Sequence, residues 1–500
     1  MDQLELYRLF NDSQEKYLVN KSKKYLKTTS QFFTPHNIAV KMLDTIDKNY
    51  INSLNSIRIL EPSAGCGILI LEAVLYIIKN SNIKKIIIDA YEISEDLSKI
   101  LKNNLKYLKK YLDNNTKVSL KTLIYNKNFI LKNSSKWNSK NIKNRYNLII
   151  SNPPFKKINK TSEEAIALNE IVFGQPNIYT LFIALCLKLL LPNGIYTLIS
   201  PRNYLIGMYT EKLRKFIFNN YTLKNLHTFD NRNIFKLTNQ EIIISTFINN
   251  KNEKINISHN GKFEYNSSLD ELLYDKENYS IFIPKNKHDI LLIKKSSNFR
   301  YKLNDLNILL SVGPIVQFRN TEYLSSKIYS NNFAPLLVCR DLLENKIIYY
   351  ERKNTLKTHN KSINVKAKNL IPNSNYLLLQ KVTAKNDRNP IITTVLKKGY
   401  FKHRLLGLDN NILYFHNIDK HKDLPIDICY GLFCYINSNY FNQLYSLING
   451  NHTINVSDFK NIRFPSLITI KSMGNKLISL NKFDKDTCSK VLKNCCSTMI

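Results

Sequence analysis

Between residues 146 and 155 the chain reads YNLIISNPPF, an apolar, strand-like run stopped by two prolines and followed by an aromatic ring. Prolines at 153 and 154 fix their own φ and end strand pairing. Asn152 and the carbonyl of Pro153 are thereby set at a strand's carboxyl edge, the side on which doubly wound sheets hold ligands. Both groups are hydrogen-bond acceptors, and the string contains no strong base. Such a pair suits a planar exocyclic amine whose lone pair is delocalised into a heteroaromatic ring. Accepting its N–H bonds favours a pyramidal nitrogen, and holding it in line with an electrophilic carbon supplies the rest of the catalysis. Pro154 locks the turn. Phe155 offers a face on which a nucleobase taken out of a duplex recovers stacking worth about 1–3 kcal/mol. Asn152, Pro153, Pro154 and Phe155 are the candidate catalytic group, with Phe235 of FDNRNIF (229–235) as the second aromatic face.

The electrophile needs a site of its own. ILEPSAGCG places Gly65 and Gly67 just after an earlier strand, where small residues let the backbone approach a ligand and turn into a helix. The next strand ends in YEIS, so Glu92 stands at a carboxyl edge where a carboxylate accepts from both hydroxyls of a ribose. The glycine spacing is not G-x-G-x-x-G, which argues against a pyrophosphate-bearing dinucleotide. S-adenosylmethionine carries no phosphate and meets both requirements. Asn128 and Phe129, read as the end of the third strand, are placed to bond and pack on its adenine. Glu61, Pro62, Ala64 and Ile93 complete the expected cofactor contacts.

Seven strands are expected to position these residues: IRILEPS, KIIIDAYEI, TLIYNKNFI, YNLIISNPP, GIYTLIS, LKNLHTF and EIIISTFI. Their alternation with helical runs over about residues 57–250 reads as a mostly parallel, doubly wound α/β sheet. GILILEAVLYIIKN is apolar on nearly every side, as a helix buried against a sheet should be. SQFFTPHNIAVKML predicts a loop and then an amphipathic helix, with Ile38, Met42 and Leu43 inward, against the sheet edge. After residue 250 the chain turns polar and strand-like, which sets the expected division into a catalytic domain (1–250) and a mixed α/β or β-rich domain (251–500).

Lys and Arg number 73 against 39 Asp and Glu, a net charge of +34 that calls for a polyanionic partner, nucleic acid first. None of the eight cysteines follows a proline, which disfavours methylation of cytosine carbon through a cysteine nucleophile. Their scatter, without a C-x-x-C pair, predicts no metal and a reduced, cytoplasmic protein. The most apolar run, LFIALCLKLLL, is too short to span a bilayer.

These motifs, in this order, resemble the amino-group DNA methyltransferases of the gamma arrangement, in which a QFFTP-like segment, the glycine turn and N-P-P-[FY] precede a target-recognition domain. SPRNYLIGMYTEKLRKFI, HTFDNRNIF and TNQEIII are similar to the BsuBI/PstI-type adenine methyltransferases of restriction–modification systems. LSVGPIVQFR, NYLLLQKVTAKNDR and GLFCYINSNYFNQLYSLINGNHTINVSDFKNIRFPS extend the likeness over nearly the whole chain. The resemblance implies an adenine-N6 methyltransferase acting on double-stranded DNA, with Thr34 near the methionine moiety of S-adenosylmethionine and Phe33 among the cofactor contacts. It implies a monomer, a separately encoded restriction endonuclease as possible partner, and CTGCAG as the default site. Arg202, Arg319, Lys381 and Arg388 are the candidate DNA contacts. Asn128 and Asn147 depart from the family's usual Asp at those places, and Cys66 stands for the commoner Thr. Methylation of RNA or of a protein glutamine, and a catalytically silent DNA-binding relative, are the alternatives; the large basic second half and the intact N-P-P-F run weigh against them.

Overall fold

The seven expected strands all form, and two more extend them. β1 (Ser56–Glu61), β2 (Lys85–Tyr91), β3 (Ser119–Tyr125), β4 (Tyr146–Ser151), β5 (Leu190–Pro201), β6 (Thr222–Thr228), β7 (Ile242–Ile248), β8 (Ile255–His259) and β9 (Phe263–Ser267) make one sheet of nine strands. Its order is β3-β2-β1-β4-β5-β7-β6-β8-β9, parallel from β3 to β5, with β7 antiparallel to both β5 and β6. The computed structural model describes residues 1–230, 234–235, 241–250, 254–326, 332–351, 360–382, 391–449 and 453–497. Two compact units divide at 281/282. β8 and β9 lie beyond the change of composition at residue 250 because β8 pairs in parallel with β6 and β9 closes a hairpin on it.

Four helices precede the sheet: α1 (Gln3–Val19), α2 (Lys23–Thr29), α3 (His36–Asp44) and α4 (Lys48–Asn52). Between the strands run α5 (Ile68–Asn80), α6 (Glu95–Asn115), α7 (Phe129–Asn133), α8 (Glu163–Ala167), α9 (Ile178–Lys188) and α10 (Glu211–Asn220). In α5 every residue from Leu69 to Leu75 is buried, and in α9 every residue from Tyr179 to Leu187. The apolar runs are thus core helices, and no helix among the described residues is long and apolar enough to cross a membrane. α3 buries Ile38, Ala39, Met42 and Leu43 but packs on α5 and β5, the middle of the sheet and not its edge. Hydroxyls explain this placement: Thr45 meets Thr246 at 2.6 Å, and Thr197 donates to the Met42 carbonyl at 3.3 Å.

The second unit, Phe282–Ile500, is mixed α/β. It holds a four-stranded sheet (Ile308–Val312, Ile412–Asn417, Tyr376–Gln380 and Thr393–Leu396), a five-stranded sheet of shorter pieces, and helices that include Ile426–Asn437 packed on Leu467–Leu480.

Candidate active site

The strand order reverses between β1 and β4, neighbours in register at Ile59 and Leu148. That reversal is the switch point at which an open α/β sheet leaves a crevice beyond its carboxyl ends. Both motifs leave the sheet there. After β1 the chain turns through Gly65 (φ +53°) and Gly67 (φ +90°), and Gly67 opens α5. The positive φ favours glycine at 67, and a Cβ there would lie 2.8 Å from Leu101 Cδ1, so that side chain would have to shift.

Glu92, just past β2, fastens this turn. One carboxylate oxygen accepts the Gly65 N–H at 2.9 Å and the other the Ser94 N–H at 2.8 Å. Burial raises its pKa, and these backbone donors oppose the rise. Each oxygen keeps a further lone pair. A cavity of about 600 Å³ opens beside it, walled on this side by Pro62, Ala64, Gly65, Glu92 and Ile93. Phe33 and Thr34 face it from the segment before α3, Asn128 and Phe129 from the start of α7, and Asn152 and Pro154 from the end of β4. The Phe129 ring packs on Tyr91 and Phe182, each at 5.2 Å between centroids. Glu61 is not in the cavity wall. It is fully buried directly before Pro62, and its two oxygens make no hydrogen bond of good geometry among the described residues. Burial pushes its carboxyl well above the ordinary glutamate range, and the Ser63 backbone opposes the rise.

Asn152 is held by its amide nitrogen. Nδ2 donates to the Phe32 carbonyl at 2.6 Å and to the Thr34 hydroxyl at 3.0 Å, which uses both of its hydrogens. Its main-chain carbonyl accepts from the Ser63 hydroxyl at 3.1 Å, tying the strand end to the glycine turn. Oδ1 remains as the acceptor that this side chain presents. Asn128 is spent differently. β3 ends at Tyr125, so Asn128 caps α7 instead of closing the strand: Oδ1 accepts from the backbone of Ile130 and Leu131, and Nδ2 donates to Glu164 at 2.8 Å.

The aromatic residues meet, but not as a parallel slot. Phe155 and Phe235 are buried, 6.1 Å apart at 66°, and the Phe32 ring stacks on Phe155 at 5.7 Å and 25°. Phe32 was not among the expected site residues; its place in QFFTP beside Phe33 was the only cue. Glu164 had none, lying 36 residues from Asn128. Arg202 is a correction. It is 2% exposed and ion-paired with Glu241 at 3.2 Å, so its guanidinium is packed inside the first unit and is no surface contact. Arg319 is exposed on a short turn, its guanidinium over the Phe318 ring, and Lys381 donates to the Asn410 carbonyl. Arg388 lies outside the described residues.

Glu61 yields a pH test. A carboxyl with a raised folded pKa binds more protons folded than unfolded, so stability falls as pH climbs above the ordinary glutamate range. Glu61→Gln should therefore be more stable than the parent at pH 8, the difference vanishing toward pH 4. Denaturant melts across that range check it, and a pH-independent difference would contradict it.

Residues 13–235 match the family described as Eco57I restriction-modification methylase. The type II methyltransferase M.BsuBI of Bacillus subtilis is 27% identical over 474 residues, 92% of either chain. M.PstI of Providencia stuartii is 27% identical over 361 residues, 70% of either chain. Among solved structures, the DrdV–DNA complex superposes on 96% of this chain with a TM-score of 0.52 at 11% identity. A nuclease-deletion mutant of the Type ISP restriction-modification enzyme LlaGI covers 93% with a TM-score of 0.52 at 13% identity. Those two likenesses concern the fold, and this chain spans 60% and 56% of their lengths. Over residues 13–235 the chain is therefore similar to the Eco57I restriction-modification methylases, and it resembles the BsuBI type II methyltransferase over 92% of its length and the PstI one over 70%.

Proposed function

We propose that this protein methylates the N6 amine of an adenine swung out of double-stranded DNA, at a specific sequence, as the modification half of a restriction–modification system. The observation that carries the reading is the pinned amide of Asn152, which leaves an oxygen as its cavity acceptor. The similarity to type II methyltransferases and the net charge of +34 support DNA as the substrate.

The residues present suit S-adenosylmethionine. Glu92 keeps lone pairs for vicinal ribose hydroxyls, and Ile93 and Phe129 give apolar walls. When bound, that cofactor supplies a sulfonium methyl as the electrophile. Asn152 Oδ1 and the Pro153 carbonyl accept the hydrogens of the amine and oppose the positive charge that develops on nitrogen. Phe155 stacks on the purine, which requires the Phe32 ring to move off its face.

Plasmid DNA from cells expressing the protein should carry N6-methyladenine at one recurring sequence. Asn152→Ala should lower the transfer rate about 100-fold or more with cofactor affinity largely kept. Transfer to RNA or to a protein glutamine with none to DNA would overturn the assignment. Thr34→Val removes one of the two acceptors that hold the Asn152 amide. A single hydrogen bond is worth about 0.5–1.5 kcal/mol, so the turnover rate should fall about two- to tenfold.

A further inference from the structure

Asn128 lines the same cavity as Glu92, and its amide leaves little freedom in what it offers there. Oδ1 takes two backbone N–H groups, from Ile130 at 3.0 Å and Leu131 at 3.3 Å, which fills both of its lone pairs. Nδ2 gives one hydrogen to the Glu164 carboxylate at 2.8 Å. Turning the amide over would set Nδ2 against the backbone donors and Oδ1 against the carboxylate, so both ends enforce the same orientation. One Nδ2 hydrogen remains, with no partner among the described residues. At this place, therefore, the side chain is a donor.

An exocyclic purine amine would meet that donor with a second N–H. A ring nitrogen would meet it with a lone pair. We infer that this protein recognises the purine of its cofactor at Asn128 through a ring nitrogen and not through the exocyclic amine, with Glu164 as the positioning residue that fixes the polarity. The inference rests on the proposed cofactor reading and adds to it the atom type that is read. It also explains why an amide works at residue 128: a carboxylate there would face the Glu164 carboxylate at hydrogen-bond distance, and the two charges would repel. Glu164 opens no contact with the reacting atoms. It sits on α8, downstream of the N-P-P-F turn, so the segment after the catalytic group also sets the far end of the cofactor site.

Calorimetric titration of the full-length protein tests this with S-adenosylhomocysteine and four variants of it: one lacking the exocyclic amine, and three in which nitrogen 1, 3 or 7 of the purine is replaced by C–H. Loss of the amine should change the dissociation constant by no more than about threefold. Loss of one of the ring nitrogens should weaken binding about tenfold, as expected for a lost hydrogen bond. Glu164→Gln keeps an acceptor and should preserve this pattern, whereas Glu164→Leu frees the amide and should erase most of the ring-nitrogen preference. Because the helix cap at Asn128 is untouched in both, neither depends on a variant that unfolds α7. The pair Asn128→Asp with Glu164→Gln turns the cavity-facing group into an acceptor and should reverse the preference, making the amine-free compound about tenfold weaker. A tenfold penalty for losing the amine in the parent protein, or equal binding of all three ring variants, would overturn the inference. Absence of binding by S-adenosylhomocysteine itself would overturn the cofactor assignment and the inference with it.

Discussion

An asparagine side chain is nearly symmetric in shape and opposite in chemistry at its two ends, so a site built on its oxygen must prevent it from turning over. In this protein the work is done by two acceptors on one segment: the Phe32 carbonyl and the Thr34 hydroxyl take both hydrogens of the Asn152 amide. They come from residues 120 and 118 positions earlier in the chain. A change in the segment before α3 can therefore damage the acceptor without touching any bound molecule. The same segment places Phe32 on the face of Phe155, so the orientation of the amide and access to the aromatic ring are mechanically joined.

The sheet makes this arrangement possible because it brings three turns to one edge. β1, β2 and β4 end side by side, and their following residues are the glycine turn, Glu92 and Asn152. Polar groups inside the sheet hold the strands in register. Asn147 of β4 accepts the Arg58 backbone N–H of β1 at 3.0 Å and donates to the Tyr50 hydroxyl. This is a structural tie that a neutral amide performs without a charge, and Asn147 is not among the residues that line the cavity. Arg58 pairs with Asp89 of β2 at 2.6 Å, and Tyr146 donates to the same carboxylate at 2.7 Å.

What could be read directly from residues was local. The seven strands, the glycine turn, the buried character of α5 and the placing of Asn152 at a strand edge follow from periodicity, proline and glycine, which act on near neighbours in the chain. β8 and β9 escaped that reading because a change in composition at residue 250 says nothing about which strand they pair with. Partners distant in sequence were equally hidden. Nothing around Glu164 marks it as the partner of Asn128, and Arg202 reads as a surface cation until Glu241 is seen against it. The clamp of Phe155 and Phe235 was legible as two aromatics that meet, but their edge-to-face geometry and the Phe32 ring against both of them were not.

The most direct test is a structure of the protein with S-adenosylhomocysteine and duplex DNA that carries its methylation sequence. The account predicts an unstacked adenine whose amine nitrogen lies about 3 Å from Asn152 Oδ1, with Nδ2 still bonded to Phe32 and Thr34. An adenine left in the helix, or an amine that meets the amide nitrogen instead of the oxygen, would contradict it.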